Sequence, residues 1–105
     1  MEINEFIHSL PEKVNSEAIA GHNTVFHFDI DGESGGEFTV SIENGVIKTE
    51  DGLHGDAKCV VKAKVETLKS VLKGDTNPMT AVFTGKLKIS NPGEMLKYAK
   101  IFGLM

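Results

Sequence analysis

A chain of 105 residues, 40% hydrophobic and 25% charged, builds one domain around a single core with little to spare. A net charge of -4 and a basic complement made only of lysine exclude a general nucleic-acid binder, which must neutralise phosphates and reads bases with arginine forks. No apolar run approaches the ~18 residues that a membrane-spanning helix requires.

In chain order, Ile3, Phe6, Ile7 and Leu10 fall at i, i+3, i+4 and i+7, which predicts a helix with one apolar face. Pro11 is expected to end it or to open a second short turn, and Val14, Ala18 and Ile19 extend the apolar stripe to Gly21. From Thr24 to Ile30 the pattern alternates, with Phe26, Phe28 and Ile30 on one side and Val25, His27 and Asp29 on the other, so a strand is predicted. After the turn DGESGG, Phe38, Val40 and Ile42 alternate with polar residues. Asn44-Gly45 then predicts a type I′ hairpin, because both central positions need positive φ. A two-residue loop sets the register: Glu43 opposite Val46, Ile42 opposite Ile47, Ser41 opposite Lys48.

EDGLHGDA reads as a loop, and Lys58 to Lys64 as a fourth strand with Cys59, Val61 and Ala63 inward. Val65 to Lys73 predicts a helix stopped by Gly74. Pro78 opens a short helix that runs toward Gly85, and Leu87 and Ile89 mark a fifth strand. Asn91-Pro92-Gly93-Glu94 starts a last helix, with Asn as cap and proline in the first turn. In that helix Glu94, Lys97 and Lys100 mark a narrow polar stripe, and apolar residues cover the rest. One domain over residues 1–105 follows, of α+β class, with a sheet apolar on one face and helices available to cover it.

The candidate catalytic motifs fail on context. Gly32-Glu33-Ser34-Gly35-Gly36 has the letters of a nucleophile elbow, but the chemistry demands a helix after the serine and EFTVSIEN has a period of two. A small hydrolase using Ser34 is therefore the weakest of three function classes. Asp29-Ile30-Asp31-Gly32 lacks the glycine position and the closing glutamate of a calcium loop. The four histidines show no metal-ligand spacing, and His27 is expected to be solvated on the outer sheet face. Gly85-Lys86 lacks the remaining positions of a phosphate loop. No enzyme activity, metal or cofactor is expected. The single Cys59 reads as a small buried hydrophobe. With no signal peptide in MEINEFIHSLPEK and no peroxisomal tripeptide at Gly103-Leu104-Met105, a cytoplasmic, reducing location is expected.

Lys58, Lys62, Lys64, Lys86 and Lys88 project from strands four and five. If those strands are neighbours, the lysines form a basic stripe suited to transient contact with an anionic membrane; an ordinary solvated face is the plainer alternative.

FHFDI, EFTVSIENG, Ala57-Lys58-Cys59-Val60-Val61 and above all NPMTAVFTGKLKISN resemble the sterol carrier, or non-specific lipid-transfer, domain family over nearly the whole chain. Two departures concern the pocket: Ala63 stands where the family usually has a methionine or similar apolar residue, and Pro92 interrupts a glycine-containing turn. The resemblance implies a five-stranded, largely antiparallel sheet with helices on one face, enclosing an apolar tunnel for a fatty acid, fatty acyl-CoA, sterol or isoprenoid. Candidate tunnel residues are Phe26, Phe28, Phe38, Val40, Leu68, Leu72, Met79, Val82, Phe83, Leu87, Met95, Leu96, Tyr98 and Phe102. About half are expected to be core filling alone, since sequence does not separate a filled core from a lined cavity. Tyr98 could offer a hydroxyl to a headgroup. Binding or carriage of such a lipid is the leading expectation. The alternative is an accessory module that presents a lipid-like substrate to a partner enzyme.

Overall fold

The computed structural model describes residues 2–101. Helix α1 spans Ile3–Lys13 and buries Ile3, Phe6, Ile7 and Leu10. Contrary to the sequence reading, it continues through Pro11. A proline this near the C-terminal end forfeits only one intrahelical bond, and Val14 N–H still closes on the Leu10 carbonyl at 3.0 Å. Residues 16–21 form turns rather than a continued helix, although Ile19 is buried.

Strands β1 (Asn23–Asp31), β2 (Gly36–Glu43) and β3 (Val46–Asp51) form an antiparallel meander. Glu50 and Asp51, expected in a loop, belong to β3. Asn44 and Gly45 both have positive φ, and the predicted register at Glu43, Ile42 and Ser41 is the observed one. The β1–β2 turn is built around glycine for steric reasons: a Cβ on Gly35 would stand 2.1 Å from the Ile30 carbonyl oxygen.

The chain then crosses the outer face of the sheet. Thr39 Oγ1 donates to the Gly52 carbonyl at 2.8 Å and accepts from His54 N–H at 2.9 Å. His27 Nε2 lies 2.8 Å from the His54 carbonyl oxygen. The expected solvated His27 is thus half-buried beneath this loop. The crossing sets β4 (Cys59–Lys64) parallel to β1, with Phe26, Phe28 and Ile30 beside Cys59, Val61 and Ala63.

Helices α2 (Val65–Lys73) and α3 (Pro78–Phe83) lead to β5 (Leu87–Ile89), antiparallel to β4. Helix α4 spans Pro92–Tyr98. The sheet order is β3-β2-β1-β4-β5, with three of the four pairings antiparallel. Gly74 takes the left-handed conformation that ends α2, while the Asn77 and Asn91 side chains cap α3 and α4. Asn91 also donates to the Lys58 carbonyl at 3.2 Å, which ties the start of α4 to β4. Strands β4 and β5 are neighbours, and Lys58, Lys62, Lys64, Lys86 and Lys88 are all exposed, with Lys62 directly opposite Lys88.

Candidate functional site

Side-chain volume falls from one half of the inner sheet face to the other. Over β1 and β2 the core is filled by Phe26, Phe28, Phe38 and Val40, which join Phe6, Ile7 and Leu10 of α1 in one buried cluster. The Phe26 and Phe28 rings stack with centroids 6.1 Å apart, and Tyr98 meets Phe26 edge-on at 5.7 Å. Strand β4 brings only Cys59, Val61 and Ala63 to the same layer. Beyond β4, between α2, α3, α4 and the edge strand β5, space is left open.

The result is a cavity of about 610 Å³, midway in the range of ligand sites of roughly 300–1,000 Å³. Val71, Leu72, Lys73 and Gly74 from the end of α2 form one wall; Pro78, Met79 and Val82 of α3 form another. Leu87 and Ile89 of β5 lie along it, and Pro92, Met95, Leu96 and Ala99 complete it from α4 and the residue after it. Its polar side chains, Lys73, Thr76 and Asn77, are grouped at the end of α2 and the turn into α3. The Asn77 Oδ1 is already engaged, accepting from Met79 N–H at 2.8 Å.

Of the residues expected from sequence, Leu72, Met79, Val82, Leu87, Met95 and Leu96 line this cavity. Phe26, Phe28, Phe38, Val40 and Leu68 sit in the buried core outside its lining. Tyr98 also belongs to the core, with its hydroxyl 3.1 Å from His22 Nδ1 rather than along the cavity wall. Phe83 is 94% exposed and does not belong to the lining. Phe102 lies outside the described residues. Sequence reasoning missed Val71, Ile89, Pro92, Ala99 and the polar group Lys73, Thr76 and Asn77. Their signal was position: all fall at or next to the ends of elements, Val71 to Asn77 around Gly74, Ile89 and Pro92 around Asn91, and Ala99 at the C-terminal cap of α4.

Glu94 departs from the expected polar stripe and is buried. The Thr24 hydroxyl of β1 donates to its Oε2, and Lys97 Nζ lies 3.6 Å from its Oε1. This partnered carboxylate anchors α4 across the sheet; without partners its burial would be costly. Burial raises the Cys59 thiol and the Tyr98 phenol above their ordinary values of 9.0 and 10.0, and the nearby Glu94 charge adds to both. Cys59 is therefore a protonated core residue rather than a nucleophile. Ser34 lies in a turn followed by β2, not by the helix a nucleophile elbow requires. Among the described residues no cluster of His, Cys, Asp and Glu is placed to hold a metal, and no helix is long and apolar enough to cross a membrane.

No curated relative matches the sequence. Solved structures match the fold along almost the whole chain. A sec-alkylsulfatase, Pisa1 from Pseudomonas sp., shares 21% identity with a TM-score of 0.79, covering 100% of this chain but only 16% of the sulfatase. Palmitated SCP2L2 from Aedes aegypti shares 18% identity with a TM-score of 0.76, over 97% of this chain and 95% of that one. The apo form of sterol carrier protein 2 from Yarrowia lipolytica shares 20% identity with a TM-score of 0.67, over 97% of this chain and 86% of that one. The model of the SCP-2 sterol transfer family matches residues 3–103, so the chain belongs to that family.

Proposed function

We propose that the protein binds a single-chain lipid, a fatty acid or its acyl ester, in the cavity between α2, α3, β5 and α4. The observation that carries this reading is a space of about 610 Å³ walled by aliphatic and methionine side chains, with Lys73 and Thr76 grouped at one end. That arrangement suits a long apolar tail with one anionic or polar head. Family membership and the palmitated state of the Aedes aegypti relative support the same ligand class. Binding requires no catalytic step, because burial of each methylene contributes about 0.8 kcal/mol by itself. The unbranched methionines Met79 and Met95 adapt to chains of different length. A lone buried thiol suits a reducing, cytoplasmic setting.

The test is native mass spectrometry with straight-chain fatty acids of increasing length. Affinity should rise about fourfold per added methylene until the cavity is full, then level off. Lys73→Met should weaken palmitate but leave the corresponding alcohol unchanged. No complex with any chain length would overturn the reading.

A second reading is favoured by one observation: the whole of this chain superposes on 16% of the alkylsulfatase. The same fold there stands beside an enzyme's remaining sequence. On that pattern, this chain would present a lipid-like substrate to a partner enzyme instead of carrying it. A carrier accelerates movement of a fluorescent fatty acid between vesicles; a presenting module binds it without doing so.

A further inference from the structure

The sheet edge away from the cavity is β3, which pairs only with β2. The hairpin fixes which of its backbone groups are already used. Glu43 and Val46 close a two-residue loop, and the pair that closes such a loop exchanges both backbone bonds. Bonded positions therefore recur at Lys48 and Glu50, and Gly52 N–H continues the series to the Glu37 carbonyl at 2.7 Å. The N–H and C=O groups of Ile47, Thr49 and Asp51 point the other way, along the open edge. Of these, the Asp51 carbonyl is met by His54 Nε2 at 2.8 Å, which leaves it a second lone pair.

The side chains of this edge are self-complementary. Val46, Lys48 and Glu50 are exposed on the outer face, whereas Ile47 and Thr49 stand half-buried on the inner one. His8 of α1 braces the inner side, with Nδ1 2.9 Å from Thr49 Oγ1 and Nε2 2.9 Å from Asp51 Oδ1. Among the described residues Lys48 has no carboxylate within salt-bridge distance, and Glu50 has only His54 at 4.0 Å. Five large apolar side chains are exposed among the described residues. Met79, Phe83 and Leu96 belong to α3 and α4; the other two, Val46 and Leu53, flank the two ends of β3.

We propose that β3 is a self-association edge, pairing antiparallel with β3 of a second copy about a two-fold axis at Thr49. The backbone groups that face the edge then meet in bonded pairs, Thr49 with Thr49 and Ile47 with Asp51. Lys48 falls opposite Glu50 of the copy, twice over, at the non-bonded positions where side chains come closest. Moving the axis by one residue sets Lys48 against Lys48 or Glu50 against Glu50, and like charges directly opposite are destabilising. At each end Val46 comes to lie over Gly52 of the copy, beside its Leu53. Charges on an edge strand ordinarily keep other strands away; here a copy of the same strand finds each of them matched. The product is one continuous sheet with α1 and its copy side by side on the inner face. The two cavities lie toward its far ends, so association and ligand binding are independent.

The test is sedimentation equilibrium of the full chain. The apparent mass should rise from that of a monomer toward that of a dimer between about 0.01 and 1 mM, the range of a small interface. Lys48→Glu and Glu50→Lys should each weaken association about tenfold or more, since each sets like charges opposite one another at two places. An equimolar mixture of the two variants should associate as strongly as the wild type, because every charge in the mixed pair meets its opposite. The double swap, Lys48→Glu with Glu50→Lys, should do so alone. Neither residue lines the cavity, so circular dichroism and palmitate binding should be unchanged in all of them. A monomer at about 1 mM, association that the single substitutions leave intact, or a mixture that stays monomeric would overturn the proposal.

Discussion

Leu72→Asp is expected to abolish fatty-acid binding, by a hundredfold or more in Kd, in a protein that still folds. Leu72 lies in the last turn of α2, half-buried, among the apolar residues that line the cavity. In the empty protein an aspartate there can reach water. An aliphatic ligand would strip that hydration, and palmitate's own carboxylate would compete with the aspartate for the neighbouring Lys73, so the variant leaves a poorly compensated buried charge that costs several kcal/mol. The penalty to the fold is smaller. A negative charge near the end of a helix costs about 0.3–1 kcal/mol, and lost apolar contact adds to it. Isothermal titration with palmitate measures the first effect, thermal unfolding the second. Wild-type affinity in the variant would place the ligand elsewhere.

Phe26→Ala should show the opposite pattern. Phe26 is fully buried on β1, stacked with Phe28 and met edge-on by Tyr98, and it does not line the cavity. Truncation of a core phenylalanine costs about 3–5 kcal/mol, a large part of the 5–15 kcal/mol typical of a whole domain. A Tm lower by roughly 15–30 °C is expected, with palmitate affinity of the folded fraction preserved when measured in the cold. The two variants together separate wall from core: one removes binding without unfolding, the other weakens folding without removing binding.

That separation is where sequence reasoning stopped. The alternation of Phe26, Phe28 and Ile30, the positive-φ pair Asn44-Gly45 and the caps Asn77 and Asn91 each express a local rule, and the strands, hairpin register and helix starts follow them. The cavity follows no local rule. Phenylalanine is the obvious candidate for a wall, yet Phe26, Phe28 and Phe38 fill the core, and the open volume is lined by residues of α2, α3, β5 and α4. Only the sheet order, with β4 and β5 set beyond β1, shows which residues share that space. Glu94 misled for a related reason. Its i+3 spacing to Lys97 reads as a solvated stripe, but the Thr24 hydroxyl, seventy positions away in sequence, accounts for its burial. Phe83 shows the converse: an apolar letter in an amphipathic helix can face water when the fold leaves no core beneath it.

On the proposed function, a lipid chain occupies the space between α2, α3, β5 and α4. Amide chemical-shift mapping during titration with palmitate tests it most directly. Saturable shifts should cluster at residues 71–74, 76–82, 87–89 and 95–99 and spare the β2–β3 hairpin. Shifts centred on Phe26, Phe38 and α1, or a spectrum unchanged at saturating palmitate, would contradict it.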